Sequence, residues 1–284
     1  MTTRRQFLQT GTLAAALGVV GRAKQLRTVG VQLYTVRTLM PQKAEEVLKA
    51  IDEMGYREIE CTFAGIDKIW PANKATKLKP VSMHLDSTMV TKGSPDDLKK
   101  AMDDLKQRGF TYVVFPYLPP AERGGLDVIK GVAEKLNKAG EMAHAVGLSL
   151  CYHNHAFEFE PMDGTTPFQV MLDSTDKKYV GIEMDAFWVS VAGHDPVEML
   201  GKLSGRVPLM HLKDKDPATA VMYKESVPRT AFKEVGHGNL DWSKVVAAAD
   251  KAGVKHFFVE QDQTPGDPLD SLRQSFAYIS KLNY

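Results

Sequence analysis

The sequence predicts a single (β/α)8 TIM barrel, an α/β fold in which eight parallel strands alternate with helices. From Thr28 onward, short β-rich runs alternate regularly with helical patterns. Glycine repeatedly stands between the end of a helical pattern and the next strand, where it can end the helix in the left-handed conformation. The length of 284 residues suits one large barrel. An open doubly wound sheet is the rival fold, but no G-x-G-x-x-G follows the first run.

The predicted strands are short and mostly rich in β-branched and aromatic residues. In chain order they are TVGVQLYTV, YREIECT, PVSMHLD, FTYVVFPYL, GLSLCYHNH, YVGIEMDAFWV, RVPLMHLKD and KHFFVEQD. Cys61 and Cys151 both fall inside these runs. Because two cysteines do not make a disulfide framework, we expect two buried thiols.

The intervening helices show apolar stripes and capping residues. In SPDDLKKAMDDLKQRG, Ser94 suits the cap, Pro95 the first position, and an apolar stripe follows at Leu98, Met102 and Leu105. The last helix, DPLDSLRQSFAYISKL, carries a similar stripe. The second helix is expected to be short or broken, because IDKIWPANKATKLK contains a proline in its middle.

Residues 1–23 read as a twin-arginine export signal that precedes the barrel domain of residues 28–284. Arg4 and Arg5 are followed by Phe7 and by a mild apolar stretch, and small residues before position 24 allow cleavage after Ala23. The stretch is too short for a membrane anchor. We therefore expect a precursor that engages the twin-arginine machinery and a mature protein in the periplasm or otherwise exported.

The charge of the chain argues against nucleic acid as a partner. The formal net charge is +1, and loss of the three arginines in residues 1–23, which carry no acidic residue, would bring it to −2. A protein that binds nucleic acid usually carries a basic surface.

Polar and mostly ionisable residues stand at the ends of nearly all predicted strands. The strand ends carry Gln32 and Tyr34, Glu58 and Glu60, His84 and Asp86, His153 and His155, Glu183 and Asp185, His211, Lys213 and Asp214, and Glu260 and Asp262. Active sites of such barrels lie at the carboxyl ends of the strands. Carboxylates and imidazoles converge there without enough basic residues to neutralise them, so we expect a polar pocket holding a divalent cation.

Several motifs resemble the xylose-isomerase-like barrel superfamily of sugar isomerases, sugar epimerases and endonuclease-IV-type enzymes. They are GIEMDAF, LMHLKD and VEQD near strands six to eight. YHNHAFEFE beside the twin-arginine signal is similar to an exported bacterial branch described as sugar phosphate isomerase/epimerase. The resemblance covers residues 28–284.

The resemblance implies one metal ion held by side chains of strands five to eight. The ketose epimerases of the superfamily use Glu, Asp, His and Glu, which correspond here to His153, Asp185, His211 and Glu260. Histidine replaces the first glutamate. Because imidazole suits Mn²⁺, Zn²⁺, Co²⁺ or Fe²⁺ better than Mg²⁺, the replacement shifts the expected metal away from magnesium. It also puts a symmetric two-carboxylate epimerisation in doubt.

Other polar residues near the predicted pocket are candidates for catalysis or substrate binding. The catalytic candidates are Glu260, His155, Lys213 and Glu158. Lys213 either stabilises an oxyanion or neutralises Glu183, and Glu158 either reaches over the pocket or is a solvated loop charge. The substrate-binding candidates are Gln32, Tyr34, Glu60, His84, Glu183, Trp188 and His237, while Asp241 is expected to cap a helix.

These expectations define a metal-dependent sugar isomerase or epimerase. It would remove a proton next to a carbonyl of a small carbohydrate and form an enediolate. One alternative is a 3-keto-glycoside lyase or hydratase, in which the same proton abstraction is followed by β-elimination. Another is a non-catalytic sugar-binding protein on the same scaffold. The resemblance also makes a homodimer possible.

Overall fold

Eight parallel strands close into a barrel in the computed structural model, which describes residues 24–284. The barrel strands are β1 (Gly30–Gln32), β2 (Glu58–Thr62), β3 (Lys79–His84), β4 (Tyr112–Phe115), β5 (Ser149–His153), β6 (Val180–Asp185), β7 (Leu209–Leu212) and β10 (His256–Val259). The barrel closes where β1 pairs with β10. A short antiparallel pair, β8 (Asp214–Lys215) and β9 (Phe232–Lys233), follows β7. The predicted fold is confirmed, while the export signal of residues 1–23 lies outside the described part of the chain.

A helical connection follows each barrel strand. The helices are α1 (Met40–Met54), α2 (Ile66–Asn73), α3 (Ser87–Thr91), α4 (Pro95–Gln107), α5 (Leu126–Ala145), α6 (Pro167–Ser174), α7 (Ala186–Val191), α8 (Pro196–Lys202), α9 (Trp242–Ala252) and α10 (Pro268–Ile279). The short helix α7 begins directly after β6, and the short helix α3 begins after a gap of two residues behind β3. Within residues 24–284, no helix combines the length and apolar character needed to cross a membrane.

The local signals in the sequence explain where these helices begin and end. Ser94 accepts a hydrogen bond from the Asp97 amide at 3.1 Å and donates one to the Asp97 carboxylate at 2.7 Å, which satisfies the first turn of α4. Pro95 is the first residue of that helix. The second helix is short, with Pro71 inside it, as predicted.

The barrel interior changes from apolar to polar toward the carboxyl ends of the strands. An apolar cluster separate from the main core is formed by Val81, Tyr112, Val114, Cys151, Leu209 and Phe258. Since side chains two positions apart lie on the same face of a strand, the residues above Cys151, Leu209 and Phe258 are histidines and a glutamate. The polar layer therefore rests on an apolar floor. Cys151 and Cys61 are both buried and free, as expected.

Candidate active site

A cavity of about 450 Å³ opens at the carboxyl ends of the strands. Its wall combines aromatic and ionisable side chains: Tyr34, His84, Tyr117, His153, His155, Trp188, Lys213, Glu225, Glu260, Asp262 and Gln263, with Pro116, Val227 and Phe232. This is the end of a (β/α)8 barrel at which active sites are found.

Asp185, His211 and Glu260 meet beside this cavity. One donor atom from each lies within 4.8 Å of the others. His211 Nδ1 is 2.9 Å from Glu260 Oε2 and 3.7 Å from Asp185 Oδ2. His153 approaches from the neighbouring strand, with Nε2 3.9 Å from Asp185 Oδ2. We call His153, Asp185, His211 and Glu260 the outer cluster.

Lys213 is the basic residue that neutralises part of the outer cluster. Its Nζ lies 2.9 Å from Asp185 Oδ2, 2.6 Å from Glu260 Oε2 and 2.8 Å from Asp262 Oδ1. Burial would lower the pKa of Lys213, but these three carboxylates hold it well above the usual value. The alternative that Lys213 neutralises Glu183 is therefore wrong, because the ammonium group lies against Asp185, Glu260 and Asp262 instead.

A second, deeper group of side chains surrounds Glu183. Its Oε2 lies 2.8 Å from His84 Nε2, 3.1 Å from His153 Nδ1 and 3.4 Å from His211 Nε2. Glu60 Oε1 is 2.9 Å from His84 Nε2 and 2.7 Å from His211 Nε2. We call Glu60, His84 and Glu183 the inner cluster. His153 and His211 separate the two clusters and direct one ring nitrogen toward each.

Burial and mutual charge set the ionisation of the inner cluster. Burial together with the Glu60 carboxylate raises the pKa of Glu183 to about 8. Burial would also raise the pKa of Glu60, but the imidazoles of His84 and His211 hold it well below the usual value. Burial lowers the pKa of His211, but the carboxylates of Glu183, Glu260 and Glu60 raise it well above its usual value. Glu60 is therefore ionised near neutral pH.

Gln32 and Tyr34 lie at the end of β1 beside the inner cluster. The Tyr34 amide N–H donates to Gln32 Oε1 at 2.6 Å, and Gln32 Nε2 lies 3.1 Å from His84 Nδ1. Gln32 is fully buried, whereas Tyr34 is 41% exposed at the cavity rim. The Arg37 guanidinium lies 4.0 Å from the centre of the Tyr34 ring and packs against its face.

His84 is subject to two opposing influences. Burial lowers its pKa, but Glu60 and Glu183 raise it to about 10, which favours protons on both ring nitrogens. At Nδ1, however, a second proton would point at the Gln32 amide hydrogens across 3.1 Å. Two donors facing each other at this distance repel, so we assign His84 one proton, on Nε2.

The motif YHNH ends β5, and its last three residues have separate roles. His153 belongs to the outer cluster. Asn154 accepts a hydrogen bond from the Asp185 amide at 3.1 Å, which fixes the end of β5 to the end of β6. His155 lines the cavity and packs against Tyr117 and Trp188, with ring centroids 5.2 and 5.3 Å apart.

His155 is a neutral imidazole with a free nitrogen. Burial and the nearby Lys213 ammonium lower the pKa of His155 to about 3. Its Nδ1 is buried and has no hydrogen-bond partner in residues 24–284. The same holds for the indole Nε1 of Trp188, which lines the same cavity. Both rings therefore line the cavity, and each has one buried nitrogen without a partner in residues 24–284.

Glu158 supports this part of the site from behind and does not line the cavity. It is buried, accepting hydrogen bonds from the Tyr152 hydroxyl at 2.8 Å and from the His155 amide at 2.9 Å. Burial raises the pKa of Glu158 to about 8. The alternative of a solvated loop charge is wrong, because the helical turn after β5 folds the carboxyl group inward.

His237 is not brought to the cavity: it is exposed, in a loop that folds onto Asp214. The amides of Gly236 and Gly238 donate to Asp214 Oδ2 at 2.8 and 3.1 Å, and Trp242 Nε1 donates to the same oxygen at 2.7 Å. These bonds hold the loop away from the mouth of the barrel. Asp241 caps α9 through the Lys244 amide, as predicted.

Other strand-end residues differ from the expected placement. Glu58 lies at the start of β2, where its carboxylate is 2.9 Å from His256 Nδ1, so the expectation that it ends the strand near the cavity is wrong. Asp86 caps α3 by accepting from the Thr88 amide. Glu58 is the first residue of β2, and strand alternation alone does not distinguish the two ends of a strand. Asp86 follows the carboxyl end of β3, but its side chain is used by the helix cap.

Asp262 lines the cavity, in agreement with its predicted place at a strand end, and Tyr117, Glu225 and Gln263 line it although sequence reasoning did not select them. Asp262 stands two positions after Glu260, and this alternation was the available signal. Tyr117 and Glu225 lie outside helices and strands, where no periodicity indicates which side chains face inward.

A second cavity, of about 320 Å³, is lined by residues near the amino ends of the strands, and its charged side chains are basic. Lys177, Lys178, Arg206 and Lys255 contribute to its wall. The Arg206 guanidinium already donates to the carbonyls of Leu172 and Val180. We therefore place the candidate active site at the carboxyl end, where imidazoles and carboxylates converge.

A family model described as xylose isomerase-like TIM barrel matches residues 13–282. The chain belongs to this family. It is 28% identical to the inosose dehydratase of Clostridium perfringens over 54% of this chain and 54% of that protein. The chain thus spans about half the length of the curated relatives it matches.

Two solved structures illustrate the shared fold. A sugar phosphate isomerase/epimerase from Parabacteroides distasonis superposes with a TM-score of 0.73 and 23% identity, over 89% of this chain and 95% of that one. An IolI protein with a bound zinc atom superposes with a TM-score of 0.68 and 14% identity, over 89% and 98% of the two chains.

The outer cluster fits a divalent cation. Carboxylate oxygens and imidazole nitrogens are common ligands of Zn²⁺ and other first-row metals. Asp185 Oδ2 is buried and makes no hydrogen bond within residues 24–284, although the Lys213 ammonium lies near it. Three carboxylates share that one ammonium group, so negative charge remains for a cation to balance.

Proposed function

We propose that this protein is a metal-dependent enzyme that removes a proton next to the carbonyl of a sugar or keto sugar, as an isomerase or epimerase. The observation that carries this proposal is the position of Glu260. Its Oε2 is engaged by His211 and Lys213, whereas its Oε1 receives no hydrogen bond from the described residues. Glu260 therefore combines one oxygen that would help to hold a cation with one that is free to accept a proton at the cavity wall.

Asp185, His211 and Glu260, together with His153, would hold the cation. A divalent cation there supplies Lewis-acid polarisation of a substrate carbonyl. Mn²⁺, Zn²⁺, Co²⁺ or Fe²⁺ suits this mixture of imidazole and carboxylate better than Mg²⁺.

The chain's own groups would move the proton. Glu260 Oε1 accepts it from the carbon next to the carbonyl. His155 lines the same cavity as a neutral ring and would help to position the substrate. The Lys213 ammonium donates hydrogen bonds to the oxygen on which negative charge develops. Return of a proton to the neighbouring carbon gives an isomer, and its return to the opposite face of the same carbon gives an epimer.

The cavity suits a small carbohydrate. Its volume of about 450 Å³ lies in the range of small-molecule sites. Tyr34 and Trp188 offer aromatic surfaces against which the apolar face of a sugar ring can pack, and the ionisable wall offers partners for hydroxyl groups.

A second candidate function is dehydration or a related β-elimination. It shares the proton abstraction, after which a group on the neighbouring carbon leaves. Lys213 and Asp262 lie 2.8 Å apart at the cavity wall and are placed to protonate a leaving oxygen. The dehydratase name of the Clostridium perfringens relative and the histidine at the end of strand five both favour this candidate.

Deuterium exchange tests the shared step. Metal-loaded protein would be incubated in D₂O with a panel of aldoses, ketoses, 3-keto sugars and keto-cyclitols. We expect deuterium at a carbon next to a carbonyl, and at least about a hundredfold slower exchange in Glu260→Gln. Glu160→Gln, an exposed carboxylate, is the control and should exchange at the wild-type rate.

The products of the same incubation separate the candidates. Deuterated isomers or epimers support the first proposal, and loss of water or of an aglycone supports the second. No exchange on any substrate, with metal still bound, contradicts both.

A further inference from the structure

The orientation of the Gln32 side chain determines where His84 carries its proton. A backbone N–H can only donate, so the Tyr34 amide at 2.6 Å identifies the facing atom of Gln32 as the oxygen. The Gln32 NH₂ group must then face His84 Nδ1 at 3.1 Å. Because an NH₂ group donates, His84 Nδ1 accepts and the ring proton lies on Nε2.

The His84 proton is directed at the inner cluster. His84 Nε2 lies 2.9 Å from Glu60 Oε1 and 2.8 Å from Glu183 Oε2. Glu60 Oε1 also lies 2.7 Å from His211 Nε2. One carboxylate oxygen therefore accepts from two imidazoles, and His211 must carry a proton on the nitrogen that faces inward.

We propose that Gln32, His84 and Glu60 form a hydrogen-bonded relay that holds a proton on His211 Nε2, so that Nδ1 is the nitrogen left to bind the cation. This inference rests on the proposed function in one respect, namely that the outer cluster is the metal site. It makes the three residues positioning residues, whereas the sequence predicts that they bind substrate. Carboxylates that orient metal-bound histidines in this way commonly contribute tenfold to a hundredfold to metal affinity.

A competing arrangement would place the cation in the inner cluster. His84, His153, Glu183 and His211 each offer a donor atom within 4.8 Å of the others. A cation there would need the lone pair of His84 Nε2. The contact with Gln32 places a proton on that nitrogen, so the relay and an inner cation exclude each other.

Glu60→Gln and Glu58→Gln form a matched pair that tests the relay. Both residues lie on β2 and both contact a histidine, but Glu58 pairs with His256 at the start of β10. We expect Glu60→Gln to weaken Zn²⁺ binding by about tenfold to a hundredfold in a chelator competition. Glu58→Gln should stay within about twofold of wild type. Equal Zn²⁺ affinities in the two variants would overturn the relay.

The ring protons can be observed directly by ¹⁵N NMR of the histidines. In the metal-free protein we expect His84 to carry a proton on Nε2 and none on Nδ1. In the Zn²⁺-loaded protein we expect His211 to carry a proton on Nε2 and none on Nδ1. Gln32→Glu replaces the donating NH₂ with an acceptor and should draw a proton onto His84 Nδ1. Protonation of wild-type His84 on Nδ1, or of Zn²⁺-loaded His211 on Nδ1, contradicts the relay.

The two proposals fail separately. If wild-type protein binds no Zn²⁺, the proposed function fails, whereas the His84 signal of the metal-free protein still supports or overturns the relay. If Zn²⁺ binds and deuterium exchanges, but Glu60→Gln has no effect on affinity, the relay alone fails.

Discussion

Unbalanced negative charge is the dominant feature of the candidate site at the scale of single residues. Five carboxyl groups, from Glu60, Glu183, Asp185, Glu260 and Asp262, surround the mouth and upper interior of the barrel. Lys213 is the ammonium group that touches them in the described chain. Buried charge of one sign is unfavourable, so protons and a cation must balance the remainder.

Replacing Lys213 should strengthen metal binding. Lys213→Met keeps the length of the side chain but removes the ammonium that competes with a cation for Asp185 and Glu260. We expect at least about tenfold tighter Zn²⁺ binding, because the cation no longer displaces a positive charge. The metal-free variant should unfold at a lower temperature, since the carboxylates lose their partner.

Lys215→Met is the control for this experiment. Lys215 is buried two positions later and forms no ion pair within residues 24–284. Its replacement should leave the Zn²⁺ affinity unchanged. Weaker or unchanged Zn²⁺ affinity in Lys213→Met would show that the ammonium and the cation do not share a site.

Glu158 should make stability depend on pH. Its folded-state pKa, raised by burial to about 8, lies above the usual value of 4.5. The folded protein therefore retains a proton that the unfolded chain releases, and the wild type loses stability as pH rises from about 4.5 to 8. The loss reaches roughly 3–5 kcal/mol across this range.

Glu158→Gln should abolish that pH dependence. The amide can donate to the Tyr152 oxygen and accept from the His155 amide, so it preserves both contacts. Urea unfolding at several pH values would show the variant gaining on wild type between pH 4.5 and 8. Glu160→Gln, an exposed neighbour, should follow the wild-type curve. Parallel curves for Glu158→Gln and wild type would contradict the burial of a neutral carboxyl group.

At the scale of elements, the strands carry the site on a tightly packed apolar floor. Phe258 is part of this floor, and its ring contacts His211 edge-on with centroids 6.3 Å apart. Gly30 on β1 leaves the room that the ring occupies. A methyl group at Gly30 would lie 2.5 Å from Phe258 Cδ1. The first strand therefore affects the site through packing as well as through Gln32.

Gly30→Ala should destabilise the protein by about 1–3 kcal/mol, because the Phe258 ring must move within a packed interior. Gly201→Ala is the control, since Gly201 lies in α8 with no other atom within 4 Å of a new methyl group. That change should stabilise the protein by about 0.5–1 kcal/mol. Urea unfolding measures both. If Gly30→Ala is as stable as wild type, the floor is less tightly packed than described.

The elements of the barrel could be predicted because each has a local signal. Alternating apolar residues mark the strands, and caps such as Ser94 and Asp241 mark where helices begin. The strand ends also marked the three residues of the inner cluster, but no signal in the sequence indicated the contacts among them. The contacts of this cluster join β2, β3, β6 and β7 through the stagger of the closed barrel, which sequence spacing does not reveal. Loop residues such as Tyr117 and Glu225 show no sequence periodicity that would indicate which side chains face the cavity.

At the scale of the whole molecule, the family fold places the site at one end of a barrel. The resemblance read from GIEMDAF, LMHLKD and VEQD is confirmed at the level of the family, whose model matches residues 13–282.

We propose that residues 1–23 direct twin-arginine export, in accordance with the sequence. Expressed in a bacterium with a functional twin-arginine system, the protein should appear in the periplasm with Lys24 as its first residue. Replacing Arg4 and Arg5 together with lysine should leave the full-length chain in the cytoplasm. The measurement is amino-terminal sequencing of fractionated protein. Cytoplasmic retention of wild type, or unchanged export of the double variant, would contradict the assignment.

The site of metal binding is the measurement that tests this account most directly. A crystal of protein loaded with Zn²⁺ or Mn²⁺, examined by anomalous scattering at the metal edge, should show one ion at the carboxyl end of the barrel. We expect His153, Asp185, His211 and Glu260 to surround it, with Lys213 displaced toward Asp262. An ion held instead by His84 and Glu183, or no ion at either cluster, would contradict the account.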